Sequence, residues 1–270
     1  MGTVIVVTSG KGGVGKTTSS AALGAALAET GDTVALVDFD VGLRNLDLVL
    51  GAERRVVYDF VNVIQGQAKL SQALIRDKRI ETLHLLAASQ TRDKDALTEE
   101  GVEDVVSSLR DSFDWVICDS PAGIERGAYL AMRHADMGVV VTNPEVSSVR
   151  DSDRIIGLLD ARTAKAEKGE TIEKHVMITR YDPSRADRGD MLAIDDVLEI
   201  LSLPLIGIVP ESPSILKASN LGLPVTLADP ASDSARAYKD AAKRVKGESV
   251  EMKVPVIKKG LFGGLFRRAA

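Results

Sequence analysis

A short apolar run near the start of the chain leads directly into a glycine-rich loop, and this succession constrains the fold more than any other feature. Residues 4–7 (VIVV) have the β-branched composition of a buried strand. The loop of residues 10–18 reads GKGGVGKTT and matches the pattern G-x-x-x-x-G-K-[ST]. In proteins this pattern joins a strand to a helix N-terminus and binds the phosphates of a nucleoside triphosphate. The sequence therefore predicts a strand, a phosphate-binding loop and a helix that begins near Thr17.

Each residue type in this loop suits a phosphate ligand. Glycines allow the backbone to approach the phosphates with its N–H groups turned inward, and a helix N-terminus favours an anion. Lys16 can reach the β- and γ-phosphate oxygens, and Thr17 can bind magnesium, whereas an ordinary glycine-rich turn explains neither residue. We therefore expect the nucleotide to contact Gly10, Lys11, Gly12, Gly13, Val14, Gly15, Lys16, Thr17 and Thr18.

Short β-branched runs recur along the chain, and stretches with helical spacing lie between them. Strands that alternate with helices predict a parallel sheet, and nearly continuous apolar strands indicate that both of its faces are covered. We therefore predict a doubly wound three-layer α/β/α P-loop NTPase domain whose mostly parallel sheet has about seven or eight strands. The runs are residues 4–7, 34–37, 83–87, 115–118, 139–142, 176–179 and 205–209.

The length of 270 residues fits one ordinary domain followed by a tail. The last stretch that predicts a packed helix ends near Gly247, so we place the ATPase domain at residues 1–247. Residues 248–256 are interpreted as a linker and residues 257–270 as a separate terminal segment. The single cysteine, Cys118, lies in an apolar run and is interpreted as a buried structural thiol, and three isolated histidines make a zinc site improbable.

Acidic residues follow two of the predicted strands. Asp38 and Asp40 end one strand and Asp119 ends another, so all three are expected beside the phosphate loop. Asp119 has the placement of an acid that supports magnesium directly or through water, and Asp38 or Asp40 would support the ion less directly. One of the latter pair would hold the loop while the other orients an attacking water. An isolated aspartate can equally be a helix cap or an ordinary loop acid.

Several segments resemble the MinD/ParA family of P-loop ATPases, whose variant phosphate loop carries a second lysine at its start, here Lys11. The resemblance covers essentially the whole chain and narrows to the MinD branch of that family, whose members position the division septum. The segments that carry it are residues 11–18, 38–47, 53–59, 89–95, 118–125 and 142–151.

The resemblance implies roles for individual loop residues. Lys11 would reach across an ATP-sandwiched homodimer to the partner's phosphates, while Lys16 would bind the phosphates of its own subunit. Thr17 would bind Mg²⁺ and Thr18 the α-phosphate. A solvent-exposed loop lysine is the alternative for Lys11.

The resemblance also implies roles outside the loop. Asp40 would position the attacking water, Asn45 would lie beside the nucleotide in the first switch segment, and Asp119 would support the metal. Arg180 and Pro210 occupy the places where relatives hold adenine, although ordinary loop residues are an equal alternative there.

The function implied is that of a cytoplasmic ATPase with a slow intrinsic rate. ATP-dependent dimers would bind the inner face of the cell membrane, recruit a MinC-like division inhibitor and be released when a MinE-like activator stimulates hydrolysis. The segment after Pro144, with Arg150, Asp151 and Asp153, is a candidate docking face, or simply a solvated helix start. No specific nucleic acid is expected.

The terminal segment combines cations with large apolar residues. Residues 251–270 carry five cations and one acid, a net +4 in a chain whose total formal charge is −5. Wound as a helix, the segment places four of its apolar side chains on one broad side with Phe266 at the border, which is typical of a segment that lies on a membrane. The alternative is a helix docked on the protein's own core. The predicted membrane residues are Ile257, Lys258, Lys259, Leu261, Phe262, Leu265, Phe266, Arg267 and Arg268.

One such tail is predicted to be a weak anchor. Burial of five apolar side chains at roughly 1.5–3 kcal/mol each is offset by the ordering of some ten residues at about 1–2 kcal/mol each. A dimer presents two tails, and the second binds at a high effective concentration. Dimerisation would therefore control membrane binding.

Two other functions share this phosphate loop. A ParA-type DNA-partition ATPase would bind DNA non-specifically through surface lysines and arginines, and the apolar tail argues against it. A metabolic ligase or amidase-type synthase would need a second substrate pocket, for which the sequence has no signature. Iron–sulfur relatives are excluded because they need paired cysteines.

Overall fold

The computed structural model describes residues 1–90 and 96–256, and within these residues eight strands form a single sheet. The strand order is β3-β4-β2-β5-β1-β6-β7-β8, and every pair is parallel except β3 with β4. The strands are β1 (Thr3–Thr8), β2 (Val34–Asp38), β3 (Ile75–Arg76), β4 (Leu83–Leu86), β5 (Trp115–Asp119), β6 (Met137–Thr142), β7 (Glu173–Tyr181) and β8 (Leu205–Pro210).

Helices connect the strands and cover the sheet. Short 3₁₀ helices occur at Glu53–Arg55 and Ala166–Lys168. The α-helices of the described residues are α1 (Lys16–Glu29), α2 (Leu46–Val49), α3 (Phe60–Ile64), α4 (Leu70–Ala73), α5 (Glu99–Ser112), α6 (Arg126–Arg133), α7 (Val146–Arg162), α8 (Pro183–Asp187), α9 (Ile194–Leu201), α10 (Pro213–Asn220), α11 (Val225–Ala228) and α12 (Asp233–Val245).

The central strand β1 shows why the domain has three layers. Successive side chains of a strand point to opposite faces of a sheet. Ile5 and Val7 belong to the apolar cluster that contains Leu23 of α1, whereas Val4 and Val6 belong to the cluster that contains Leu109 of α5. Both faces of the sheet are therefore buried under helices, and the predicted doubly wound α/β fold is confirmed.

Each of the seven predicted apolar runs coincides with a strand, although the run of residues 83–87 extends one residue beyond the end of β4. The sequence analysis missed β3, which has only two residues and pairs antiparallel with β4 at the sheet edge. A strand this short carries no periodic signal. Cys118 lies on β5 and is 1% exposed, and burial raises the pKa of its thiol to about 12. The predicted structural thiol is therefore buried.

The described end of the chain is held against the sheet. Residues 250–256 follow α12 without regular secondary structure. The Arg244 guanidinium donates hydrogen bonds to the carbonyl oxygens of Ile206, Val250 and Glu251 at 2.8, 3.2 and 2.7 Å. The start of this stretch is therefore fastened to the edge strand β8. No helix of the described residues is long and apolar enough to cross a bilayer.

Candidate nucleotide site

The glycine-rich loop joins β1 to α1, as the sequence predicts, and two of its glycines have backbone conformations that other residues rarely adopt. The φ angles are 76° at Gly13 and 98° at Gly15. Helix α1 begins at Lys16, and its first turn contains no acidic residue. The N–H groups at the start of α1 therefore remain available to an anion from outside the chain.

The loop is seated on neighbouring elements at two points. A Cβ on Gly10 would lie 2.3 Å from the carbonyl oxygen of Asp151, so only glycine allows the loop to pack this closely against α7. The Thr179 hydroxyl on β7 donates to the carbonyl of Val14 at 2.6 Å and lies 3.0 Å from Asn143 Oδ1. Sequence analysis missed Thr179 and Asn143, because their role depends on contacts between distant segments.

Lys16 lies under the loop, and its side chain is largely buried. Its Nζ donates to Ser9 Oγ at 3.0 Å and to the carbonyl of Lys11 at 3.5 Å. Burial lowers the pKa of Lys16, and the nearby charges of Asp119 and Asp40 partly oppose this shift. The amine is thus held at the base of the loop between hydroxyl, carbonyl and carboxylate groups.

Asp38 and Asp119 end neighbouring strands in register, and both carboxyl groups are buried. Asp38 accepts hydrogen bonds from the backbone N–H groups of Asp40 at 2.9 Å and Leu46 at 3.2 Å. Burial, with repulsion from Asp119, raises the pKa of Asp38 well above its usual range. These hydrogen bonds join Asp38 to the segment of residues 40–46 that follows β2, and Asp40 occupies a partly exposed position in that segment.

Asp119 faces the start of α1. Its Oδ1 accepts a hydrogen bond from Ser20 Oγ at 2.8 Å. Burial raises the pKa of Asp119 to about 6, although hydrogen bonds from Ser20 and Thr17 and the charge of Lys16 oppose the shift. Asp119 and the Thr17 hydroxyl are therefore neighbours, as the sequence predicts.

These residues fit a magnesium ion bound together with a nucleotide. A cation would relieve the cost of ionising two buried carboxyl groups, Asp38 and Asp119. Across residues 1–90 and 96–256 there is no group of three or more His, Cys, Asp or Glu side chains that could hold a metal alone. Magnesium usually takes one or two protein ligands together with phosphates and water, so a hydroxyl and a carboxylate suffice.

Lys11 turns toward α7 of its own chain. Its Nζ lies 3.2 Å from Glu145 Oε2 and 3.0 Å from Ser147 Oγ. Both charged side chains are about two-fifths exposed. The amines of Lys11 and Lys16 therefore have different partners within one subunit, and a role of Lys11 in a partner's site requires its exposed pair with Glu145 to open.

The segment after Asp40 contains an ion pair that sequence analysis missed. Arg44 adopts a φ of 50° and its Nε lies 2.7 Å from Asp47 Oδ2, a side chain that is fully buried. A second nitrogen of Arg44 donates to the carbonyl of Glu53 at 3.1 Å. Asn45 lies between these residues as the exposed N-cap of α2. The pair therefore fixes the short segment that carries both Asp40 and Asn45.

The two predicted adenine contacts lie side by side. Arg180 is exposed near the end of β7 with a φ of 53°, and Pro210 ends β8 opposite Tyr181. The backbone N–H of Glu211 donates to the carbonyl of Tyr181 at 3.0 Å. Both residues are thus placed at the carboxyl edge of the sheet, where ligands of such folds bind.

Two predicted surfaces remain, the candidate docking face on α7 and the membrane segment at the end of the chain. Arg150 and Asp153 are exposed on α7, and Asp151 between them is half-buried. The predicted membrane residues, all within 257–270, lie outside the described residues, and so do residues 91–95.

A comparison with protein families matches residues 5–225 to the CobQ/CobB/MinD/ParA nucleotide-binding domain. The septum site-determining protein MinD of Escherichia coli strain K12 is 57% identical over 271 residues, which cover 98% of this chain and the whole relative. MinD of Neisseria meningitidis is 56% identical over 270 residues, or 98% of this chain and 99% of the relative.

Solved structures of similar proteins agree with these matches. The MinD cell division protein of Aquifex aeolicus is 42% identical, with a TM-score of 0.83 over 93% of this chain and all of that one. A MinC:MinD complex from the same organism gives 42% identity and a TM-score of 0.81 over 93% and 98%. MinD of Pyrococcus horikoshii, complexed with Mg-ADP, gives 30% identity and 0.80 over 91% and 96%.

Proposed function

Because the chain belongs to the MinD branch of the CobQ/CobB/MinD/ParA nucleotide-binding family, we propose that it is the ATPase that determines where the division septum forms. It binds ATP with Mg²⁺, pairs with a second copy, associates with the membrane and brings a division inhibitor there. Hydrolysis of ATP ends this state. The identity of 57% along the full length of a septum site-determining relative supports this function over DNA partition.

One observation carries the proposal at the level of chemistry. Lys16 Nζ lies at the base of the phosphate loop, 3.0 Å from Ser9 Oγ, and is influenced by the charges of Asp119 and Asp40. Phosphoryl transfer depends on placing charge and water around the phosphate rather than on covalent chemistry by the protein. The site meets these requirements, because a lysine, a helix N-terminus and carboxylates lie together at one edge of the sheet.

The residues of this chain then have separate tasks. Thr17 and Asp119 would hold the magnesium ion, which supplies positive charge that the phosphates share when it is bound. Lys16 and the loop N–H groups bind the phosphate oxygens. Asp40 orients the attacking water, and Asp38 keeps Asp40 in place through the hydrogen bond to its backbone.

Lys11 gives the site its dependence on a second subunit. In a single chain the Lys11 amine is paired with Glu145, whereas the Lys16 amine donates to Ser9 Oγ. In the dimer, Lys11 of each subunit contributes its charge to the partner's phosphates, so a lone subunit has an incomplete site. ATP then joins the two copies, and hydrolysis separates them at a slow intrinsic rate until a MinE-like activator accelerates it.

Membrane binding is inferred from the composition of residues 257–270, and recruitment of an inhibitor is inferred from the similar proteins. Residues 257–270 carry the cations and apolar residues of an interfacial segment. Two such segments in a dimer bind together far more strongly than one, so the nucleotide state controls residence at the inner face of the membrane. The MinC:MinD complex of Aquifex aeolicus supports a MinC-like inhibitor as the cargo.

Sedimentation with anionic vesicles tests this function. With saturating ATP and magnesium we expect the protein to dimerise and to pellet with the vesicles, and with ADP we expect it to stay in the supernatant as a monomer. Equal vesicle binding with ATP and ADP would refute the nucleotide switch. Vesicle binding by a protein that stays monomeric in ATP would refute the role of the dimer.

A further inference from the structure

A cavity of about 1170 Å³ opens beside the edge strand β8. Its walls come from β8, from the start of α10, from α12 and from residues 251–256. Cavities that hold small molecules usually measure about 300–1,000 Å³. This cavity therefore has room for a segment of polypeptide.

The described chain ends on the wall of this cavity. Arg244 fastens residues 250 and 251 to β8, and Met252 packs against the apolar cluster that contains Ile208. Beyond Met252 the chain follows the cavity wall as far as Val256, whose side chain is 74% exposed. The described chain therefore ends at Val256, at the rim of the cavity.

The lining of the cavity is acidic with apolar patches. Six carboxylates and three cations line it, and one of these cations, Arg236, is paired with Asp233, while a second, Arg244, is occupied with backbone carbonyls. Val254 and Val256 add exposed apolar surface, whereas Ile208 in the cavity wall is only 2% exposed. The carboxylates are Asp182, Glu211, Asp229, Asp233, Asp240 and Glu251.

The terminal segment has the complementary composition. Residues 257–270 contain four cations and no acid, together with five large apolar side chains. A segment tethered at the rim of a cavity also has a high effective concentration there, in the millimolar range for a short connection. It therefore has an advantage over any free peptide or second molecule.

We propose that residues 257–270 dock in this cavity when the protein is away from the membrane. The cations of the segment pair with Glu211 and Asp240, and its apolar side chains cover the exposed side chains of Val254 and Val256. This inference rests on the proposed function, because it takes residues 257–270 to be the membrane-binding segment. Docking competes with lipid, so the segment is restrained in the monomer and the threshold for membrane binding rises.

Two double variants, each of which removes two negative charges, test the docking directly. Glu211→Gln with Asp240→Asn removes two carboxylates whose side chains hold no hydrogen bond within the described residues. The control, Glu81→Gln with Asp104→Asn, makes the same change of net charge at exposed positions on other elements. The first pair should raise vesicle binding in ADP about threefold to tenfold, as expected for two lost surface ion pairs. The control should leave it unchanged.

A fluorescent probe provides an independent reading of the docked state. Gly263→Cys can be labelled selectively with a polarity-sensitive dye, because the native Cys118 is buried and its thiol has a raised pKa. Without lipid, and with ADP, the dye should report an apolar environment in the parent protein and in the control variant. In the Glu211→Gln/Asp240→Asn variant it should report water. Urea denaturation of the same samples shows that each variant is folded, a measurement that does not depend on Pro210, the predicted adenine contact that also lines the cavity beside Glu211.

The outcomes distinguish a failure of the docking proposal from a failure of the proposed function. Identical dye emission and identical ADP-state vesicle binding in all three proteins would overturn the docking, while ATP-dependent vesicle binding by the parent protein would leave the proposed function standing. Dye emission that depends on protein concentration would also overturn it, because the occupant would then be the tail of a second copy. Failure of the parent protein to bind vesicles with ATP would refute the proposed function itself.

Discussion

Asp38 and Asp119 lie opposite each other at the ends of β2 and β5, and both carboxyl groups are shielded from water. Burial raises the pKa of each, to about 6 for Asp119. The nucleotide-free site therefore retains protons at a pH where exposed aspartates have lost theirs. This relationship gives the first prediction.

Binding of Mg-ADP near pH 6 should release protons. Without ligand, Asp119 is partly protonated there, and a bound cation favours the carboxylate. Calorimetry in buffers with different ionisation enthalpies measures the release, which should be smaller in Asp119→Asn. An equal release from the parent protein and this variant would contradict the prediction.

The same shift predicts how the stability of the free protein depends on pH. Between the usual aspartate pKa of 3.8 and about 6, the native state holds a proton that the unfolded chain has released. The contribution of Asp119 to the free energy of unfolding should therefore decrease as the pH rises through this window. Urea denaturation of the nucleotide-free protein and of Asp119→Asn, at pH 4.5 and 7, tests it; the variant should show the smaller decrease.

Lys16→Ala should weaken ATP binding about 10- to 100-fold, because hydrogen bonds to charged groups are worth about 1.5–3 kcal/mol. ATP-dependent vesicle binding should be lost with it. Lys168→Ala, at an exposed position away from the loop, is the matched control. Equilibrium binding of a fluorescent ATP analogue measures the change, and parent-like affinity in Lys16→Ala would place the amine outside the phosphate site.

Lys11→Ala should abolish ATP-induced dimerisation, whereas Glu145→Gln should change the dimer dissociation constant by no more than about fivefold, since exposed ion pairs contribute about 0–1 kcal/mol. The two variants break the same contact within the subunit, and only the first removes the charge needed by the partner. Sedimentation velocity with ATP and magnesium distinguishes them. Dimers formed by Lys11→Ala would rule out a role in the partner's site.

Asp47→Asn should lower kcat more than it raises KM. Asp47 fixes Arg44, and the segment they hold carries Asp40, which acts on water rather than on the bound nucleotide. The free energy of unfolding should also fall by about 1–3 kcal/mol, because Arg44 loses a charged partner. Steady-state ATPase kinetics and urea denaturation provide the measurements; a rise in KM alone would show that the pair serves nucleotide binding.

The strand pattern and the phosphate loop could be predicted because each depends on residues that are close together in the sequence. Apolar runs such as residues 4–7 and the spacing from Gly10 to Thr17 need no knowledge of distant segments. The contacts that seat the loop could not be predicted in this way. Thr179 reaches Val14 across 165 positions of sequence, and Lys11 reaches Glu145 across 134.

The different roles of Asp38 and Asp40 also could not be assigned from local sequence alone. Alternation along a strand would place both carboxylates on one face only if the strand continued through Asp40, so the sequence predicted two different roles but not which carboxylate is buried. The structure distinguishes them because β2 ends at Asp38 and the chain then turns, so that Asp38 accepts backbone hydrogen bonds from Asp40 and Leu46. Where a strand stops is a property of its neighbours as much as of its own residues.

The missing side chain at Gly10 leaves the phosphate loop resting on the backbone of Asp151, with no room for even one extra carbon. Helix α7 also exposes Arg150 and Asp153 to solvent on its outer side. A protein that bound this exposed side of α7 would therefore contact the same helix against which the phosphate loop packs. Because no gap separates Gly10 from Asp151, a shift of this helix toward the loop would have to displace the loop as well.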